Sequence, residues 1–108
     1  MKNALSSGYS GGNAVVGFDA SKAFTAYEAQ HKSGMATADL VYQWSRRWCE
    51  AEGCATKPVL EAHFQRMKAL ESSVNAKVQA GMASGGDKAA TEYYRVEAEV
   101  WVQRGKGP

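Results

Sequence analysis

The chain has little proline, two residues in 108, and only two cysteines. Scarce proline leaves long stretches free to be helical. Two cysteines are too few for the disulfide framework of a small secreted scaffold, and in a reducing setting they are expected as free thiols. No apolar run reaches the roughly 18 residues that a membrane span requires. Lys2 opens the chain without a continuous apolar stretch behind it, so no secretory signal is expected and the cytoplasm, or a particle assembled there, is the default setting. Charge asymmetry is missing as well. The net charge is +2, with both signs interspersed, and no segment carries the dense basic patch of a phosphate-neutralising surface.

Catalytic and cofactor signatures are equally scarce. Gly8-Tyr9-Ser10-Gly11-Gly12 has the letters of a nucleophile elbow, but that turn needs a strand before it and a large sheet around it, and seven residues precede it. Gly81-Met82-Ala83-Ser84-Gly85-Gly86-Asp87-Lys88 lacks the Gly-Lys-Ser/Thr ending of a phosphate loop and puts an aspartate where phosphate would be repelled. Cys49, Cys54, His63 and His31 follow no common zinc spacing. Asp39, Glu50, Glu52 and Glu61 sit at positions read as exposed, so no carboxylate pair in an apolar pocket is evident. Neither an enzyme nor a bound metal or cofactor is expected.

What the chain does have is alanine and helical periodicity. Apolar residues make up 44% of it, and 108 residues leave room for one domain. Residues 1–18, rich in glycine and serine, are expected as a flexible arm, and 19–108 as a single helical domain. A first helix is expected over Ala20–Lys32, with Ala20, Phe24, Tyr27 and His31 on one stripe and Gly34 as its stop. A second starts at the N-cap Thr37 and carries Leu40, Trp44, Trp48 and Ala51 at helical spacing, with Val41 widening the stripe. Gly53 ends it. A glycine stop there brings Cys54 against Cys49, which explains the spacing of the two cysteines structurally.

Lys57 precedes Pro58, which fits the first turn of a third helix running to Ala80. Its stripe is Leu60, Phe64, Met67, Leu70 or Glu71, Val74 and Val78, and at about 1.5 Å per residue it is long enough to protrude past the second helix. The last segment carries two patterns. Ala89, Tyr93, Val96 and Val100 form a helical stripe, widened by Ala90, Tyr94 and Trp101. Tyr94, Val96, Ala98, Val100 and Val102 alternate as a strand would, with Asn13–Phe18 as the evident mate. Length, alanine and glutamate content, and Asp87 as a cap favour helix.

The fold expected is therefore mainly α: a small antiparallel bundle of three to four helices, built on a hairpin of the second and third. The function expected is non-catalytic, in protein–protein interaction or assembly, with a homo-oligomer or larger particle as partner and a phage- or plasmid-type structural, accessory or inhibitor protein as the kind of source. Trp44, Trp48, Phe64, Met67, Tyr94 and Trp101 are the candidate partner-binding residues, because this is more aromatic surface than so short a chain readily buries. The alternative is a DNA-binding regulator. Residues 48–68 resemble a helix-turn-helix, with Trp48, Cys49, Val59 and Ala62 inward and Gly53 at the turn. Arg46, Arg47, Lys57 and Lys68 would then meet phosphate and Gln65 a base edge. Glu52 departs from that pattern, standing where an apolar residue is usual.

Overall fold

The computed structural model describes residues 10–108, with side chains from Gly17 onward. It holds four helices: α1 Ser10–Lys32, α2 Ala38–Ala51, α3 Lys57–Gln79 and α4 Gly85–Arg104. No helix is long and apolar enough to cross a membrane among the described residues.

Local chemistry sets the boundaries. The Thr37 hydroxyl accepts from the Leu40 amide at 3.3 Å, capping α2. Ser84 and Asp87 form a reciprocal capping box at the start of α4, with bonds of 3.1 and 3.0 Å. Asp87 is thus the fourth member of the box rather than the cap itself. Gly34 and Gly81, at φ +83° and +76°, end α1 and α3 in the left-handed conformation that glycine adopts without penalty. In both, the next residue's amide reaches back to the helix, Met35 to Gln30 and Met82 to Lys77, each at 2.7 Å.

Two expectations about the helices need correcting, and a third is met. The helix expected to begin at Ala20 begins at Ser10, so residues 10–18 of the expected arm, the proposed strand mate included, are helical; residues 1–9 lie outside the described part. Glycine's entropic cost disfavours that extension by about 1 kcal/mol each, yet at Gly17 packing favours it. Gly17 is buried, and a Cβ there would already touch the Glu52 side chain at 3.5 Å. The C-terminal segment is helix, as its length, composition and cap favour, and not the alternative strand. The central pairing also differs: α1 runs back along α2 and α3 along α4, while α2 contacts the second hairpin less extensively. The molecule is two helical hairpins, α2 leaning across α3 and α4, in a slab 51 × 31 × 16 Å. The shortest dimension is about that of two packed helix layers, so each helix keeps an outward face.

The hairpins share one core. Phe24 of α1, Val41 of α2, Met67, Leu70 and Val74 of α3 and Ala98 of α4 are buried together. A second cluster joins Cys49, Cys54, Leu60 and Trp101. The α4 stripe Tyr93, Val96 and Val100, expected to face the core, faces solvent at 60%, 42% and 43% exposure, and Thr91, Ala98 and Trp101 turn inward instead.

In place of the expected free thiols, Cys49 and Cys54 form a disulfide, their Cα atoms 4.8 Å apart and within bridging range. The α2 stop differs from the other two. Gly53 lies at φ +96° and Cys54 itself at +46°, and the amide of Cys54 does not return to the helix as those of Met35 and Met82 do. The bridge takes that role. Closing so short a loop contributes about 2 kcal/mol by chain entropy, against roughly 1–2 kcal/mol for a left-handed cysteine. Iodoacetamide is expected to label neither cysteine of the native protein and both after reduction, as read by intact mass.

The C-terminal residues dock on this turn. The Gly107 amide donates to the Cys54 carbonyl at 2.9 Å, and the Arg104 guanidinium holds the Gly107 carbonyl at 2.8 Å and that of Lys106 at 3.0 Å. A Cβ on Gly107 would lie 2.5 Å from the Cys54 sulfur and 3.1 Å from its backbone oxygen. Gly107→Ala is therefore expected to displace the tail and to cost about 1–2 kcal/mol in urea denaturation, the usual penalty of overpacking.

Candidate functional site

The six aromatic and apolar candidates do not form one face. Trp44 is half-buried between α1 and solvent, stacked on Tyr27 at 6.3 Å with the Arg47 guanidinium 4.6 Å above its ring. Trp48 lies 5.7 Å from Phe24, gives its indole proton to Glu52 at 3.1 Å and is covered by Arg66 at 4.0 Å. Phe64 is half-buried beneath Lys68. Tyr94 stacks on Tyr42 at 4.0 Å and donates to Asp39 at 3.2 Å; burial and that carboxylate push its phenol up to about 12. Met67 and Trp101 are core residues, 0% and 4% exposed, and present nothing to a partner in this fold. Nor does α3 protrude alone, since α4 accompanies it.

The residues of the helix-turn-helix reading are likewise dispersed. Lys57, Gln65 and Lys68 are exposed on α3, but Ala62, assigned an inward position, is exposed too. Arg46 is committed to Glu50 at 3.3 Å, to the Tyr42 hydroxyl at 3.3 Å and to the face of Trp101 on α4. Arg47 lies over Trp44 on the α1 side.

Sequence reading missed a buried polar cluster between the hairpins. Ser45 of α2 and His63 of α3 are both 0% exposed, with Oγ and Nδ1 2.8 Å apart. Arg66 donates through Nε to the Ser45 hydroxyl at 2.6 Å and through Nη2 to the Ser45 carbonyl at 3.1 Å. With its oxygen accepting from Arg66, the Ser45 hydroxyl has His63 Nδ1 to donate to. Burial first, then the Arg66 and Arg46 charges, push the His63 imidazole down to about 3. Burial also pushes Arg66 down to about 10. A serine–histidine pair needs an open approach and a partner on the far imidazole nitrogen to act as a nucleophile. Here Nε2 has no partner among the described residues, and both side chains are fully buried. The imidazole is stacked 5.2 Å from Trp101 and held by Ser45, which Arg66 fixes in turn.

The nominal metal ligands do not meet. Both cysteines are consumed by the bridge, and no group of three His, Cys, Asp or Glu could hold an ion among the described residues. A cavity of about 190 Å³ lies between the α1–α2 and α3–α4 turns. Lys77 crosses it to the His31 carbonyl and ties the helix ends together. A wider, more apolar groove of about 490 Å³ runs between α1 and α2, lined by Asp19, Ala20, Trp44, Arg47, Glu50 and Ala51.

The other missed feature is a repeat. Gly34-Met35-Ala36-Thr37 and Gly81-Met82-Ala83-Ser84 occupy corresponding turns with the same backbone bonds. α1 and α3 have 23 residues each and start at 10 and 57, and the caps fall at 37 and 84. Both comparisons give a spacing of 47. The Gly-Met-Ala-Thr/Ser signature was available in the sequence, and its brevity hid it. The chain matches no family model, no curated protein and no solved structure.

Proposed function

We propose that this is a non-catalytic assembly protein whose helices dock on other protein surfaces. One observation carries the reading: the outer face of α4 presents Tyr93, Val96 and Val100 in a row at spacings of three and four residues, exposed among the described residues. Single exposed apolar residues are ordinary, but a contiguous stripe of them along one helix is the geometry of a helix–helix seam. The buried Ser45–His63 pair supports the same reading, since the arrangement most like a catalytic one is closed to substrate. Because structural disulfides persist where the surroundings oxidise, the bridge favours such a compartment, and in this proposal that setting replaces the cytoplasm.

Sedimentation velocity across a wide concentration range tests the reading. Self-association that rises with concentration and resists moderate salt is expected, because the stripe is apolar. A monomer at every concentration that also captures no partner would sink it.

A further inference from the structure

The disulfide and the C-terminal tail meet at one residue. Gly107 is buried against Cys54, its amide on the Cys54 carbonyl at 2.9 Å, and a Cβ there would stand 2.5 Å from the Cys54 sulfur. Gly107 is not among the glycines of positive φ, so close approach and not backbone geometry calls for glycine at this position. The chain turns off α4 two residues earlier, at Gly105, φ +78°. Arg104, the last residue of α4, then clamps the carbonyls of Lys106 and Gly107. Cys49 is fully buried and Cys54 nearly so. A reductant therefore reaches the bridge through Cys54, where Gly107 is seated.

The dependence also runs the other way. Cys54 holds φ +46°, a left-handed backbone that is disfavoured for any residue with a Cβ, and its amide does not return to α2. The bridge to Cys49 fixes it there. With the bridge open, Cys54 relaxes to negative φ, its carbonyl turns away, and Gly107 loses its acceptor. The tail in turn reaches the outer face of α4. Pro108 forms one wall of a hollow of about 450 Å³ whose lining includes Tyr93, Val96 and Val100.

We infer that the Cys49–Cys54 bridge is a redox switch on the docked tail. Oxidised, it seats residues 105–108 on the α2–α3 turn; reduced, it releases them and takes one wall from the α4 hollow. The co-reactant is a dithiol. One of its thiolates attacks the Cys54 sulfur and expels the Cys49 thiolate, and its second thiolate then displaces Cys54 from the mixed disulfide. The dithiol leaves as a disulfide, its two electrons and two protons now on the cysteines. By linkage, whatever factor the bridge adds to tail docking, docking adds to the bridge's resistance to reduction. The coupling of bridge and tail stands by itself, while its bearing on partner docking rests on the assembly reading.

The rate of reduction by dithiothreitol, read by alkylation and intact mass on the full chain, tests it. Gly107→Ala unseats the tail, and Arg104→Ala loosens its clamp without touching Cys54. Each is expected to speed reduction by at least about fivefold. Removing the Arg104 cation weakens the attraction for an anionic thiolate, so charge does not supply the increase. The wild-type rate should stay flat in urea below the unfolding transition, because only the tail has to open. In the reduced wild type the Gly107 amide should exchange with solvent at least about tenfold faster while the circular dichroism spectrum stays helical. Variants at the wild-type rate overturn the switch, as does a wild-type rate that climbs with urea in step with unfolding. So does a reduced protein that keeps Gly107 protected or loses its helices. None of these readouts depends on self-association, so the switch and the assembly reading fail separately.

Discussion

Stability is expected to fall steadily as pH drops from 6.5 towards 3, with His63 as the main cause. The imidazole ordinarily titrates near 6.5 and here only at about 3. Between those values the unfolded chain takes up a proton at this position and the folded chain does not. The unfolded state is favoured by mass action, and each pH unit in that window costs about 1.4 kcal/mol. At pH 5 the loss is about 2 kcal/mol relative to pH 8, and above 6.5 this group adds no slope. His31 has the same sign, lowered chiefly by burial and then by Lys77. Asp87, held below the usual carboxylate range by its bonds to Ser84, enters only beneath about pH 4.

Urea denaturation at intervals between pH 5 and 8 reads the slope, and His63→Leu identifies its source. The variant loses the acceptor of the Ser45 hydroxyl and should be less stable at pH 8 by about 1–2 kcal/mol. Its curve should be much flatter, with the residue of the slope left to His31. A variant with the wild-type slope would show that protons enter elsewhere.

The sequence disclosed helix ends better than it disclosed partners. Gly34, Gly53 and Gly81 were legible as stops because each helix end needs a left-handed residue, and Thr37 as a cap because its hydroxyl replaces a missing carbonyl. A stripe shows that a helix is covered, not by what. Trp44 and Trp48 stand out as a stripe and as candidate partner-binding residues, yet their ring partners Tyr27 and Phe24 are on α1. On α4 two faces are apolar, and periodicity could not rank the one holding Ala98 and Trp101 above the one holding Tyr93 and Val96. The cysteine spacing foretold contact, but contact is compatible with either oxidation state. Ser45 and Arg66 carried no signal, and His63 stood out only as a nominal metal ligand, since a single serine on one helix meets its partners only through the crossing of two hairpins.

Replacing Met67 by alanine is expected to be the most damaging single change in the core, costing about 2–5 kcal/mol. Its side chain is fully buried in the cluster where all four helices contribute, among Phe24, Val41, Val74 and Ala98. Deleting it removes buried surface and leaves a cavity that rigid helices on several sides cannot collapse to fill. For a domain of this size the loss corresponds to a fall of roughly 10–20 °C in Tm. Met82→Ala supplies the control: at 73% exposure it should shift stability by no more than about 0.5 kcal/mol. The shape of the transition matters as much as its midpoint. Met67 occupies the surface that receives α2, so if the hairpins stand or fall together the variant should still unfold in one step with an unchanged denaturant slope. Two steps, one near the wild-type midpoint, would mean that the first hairpin holds without the second.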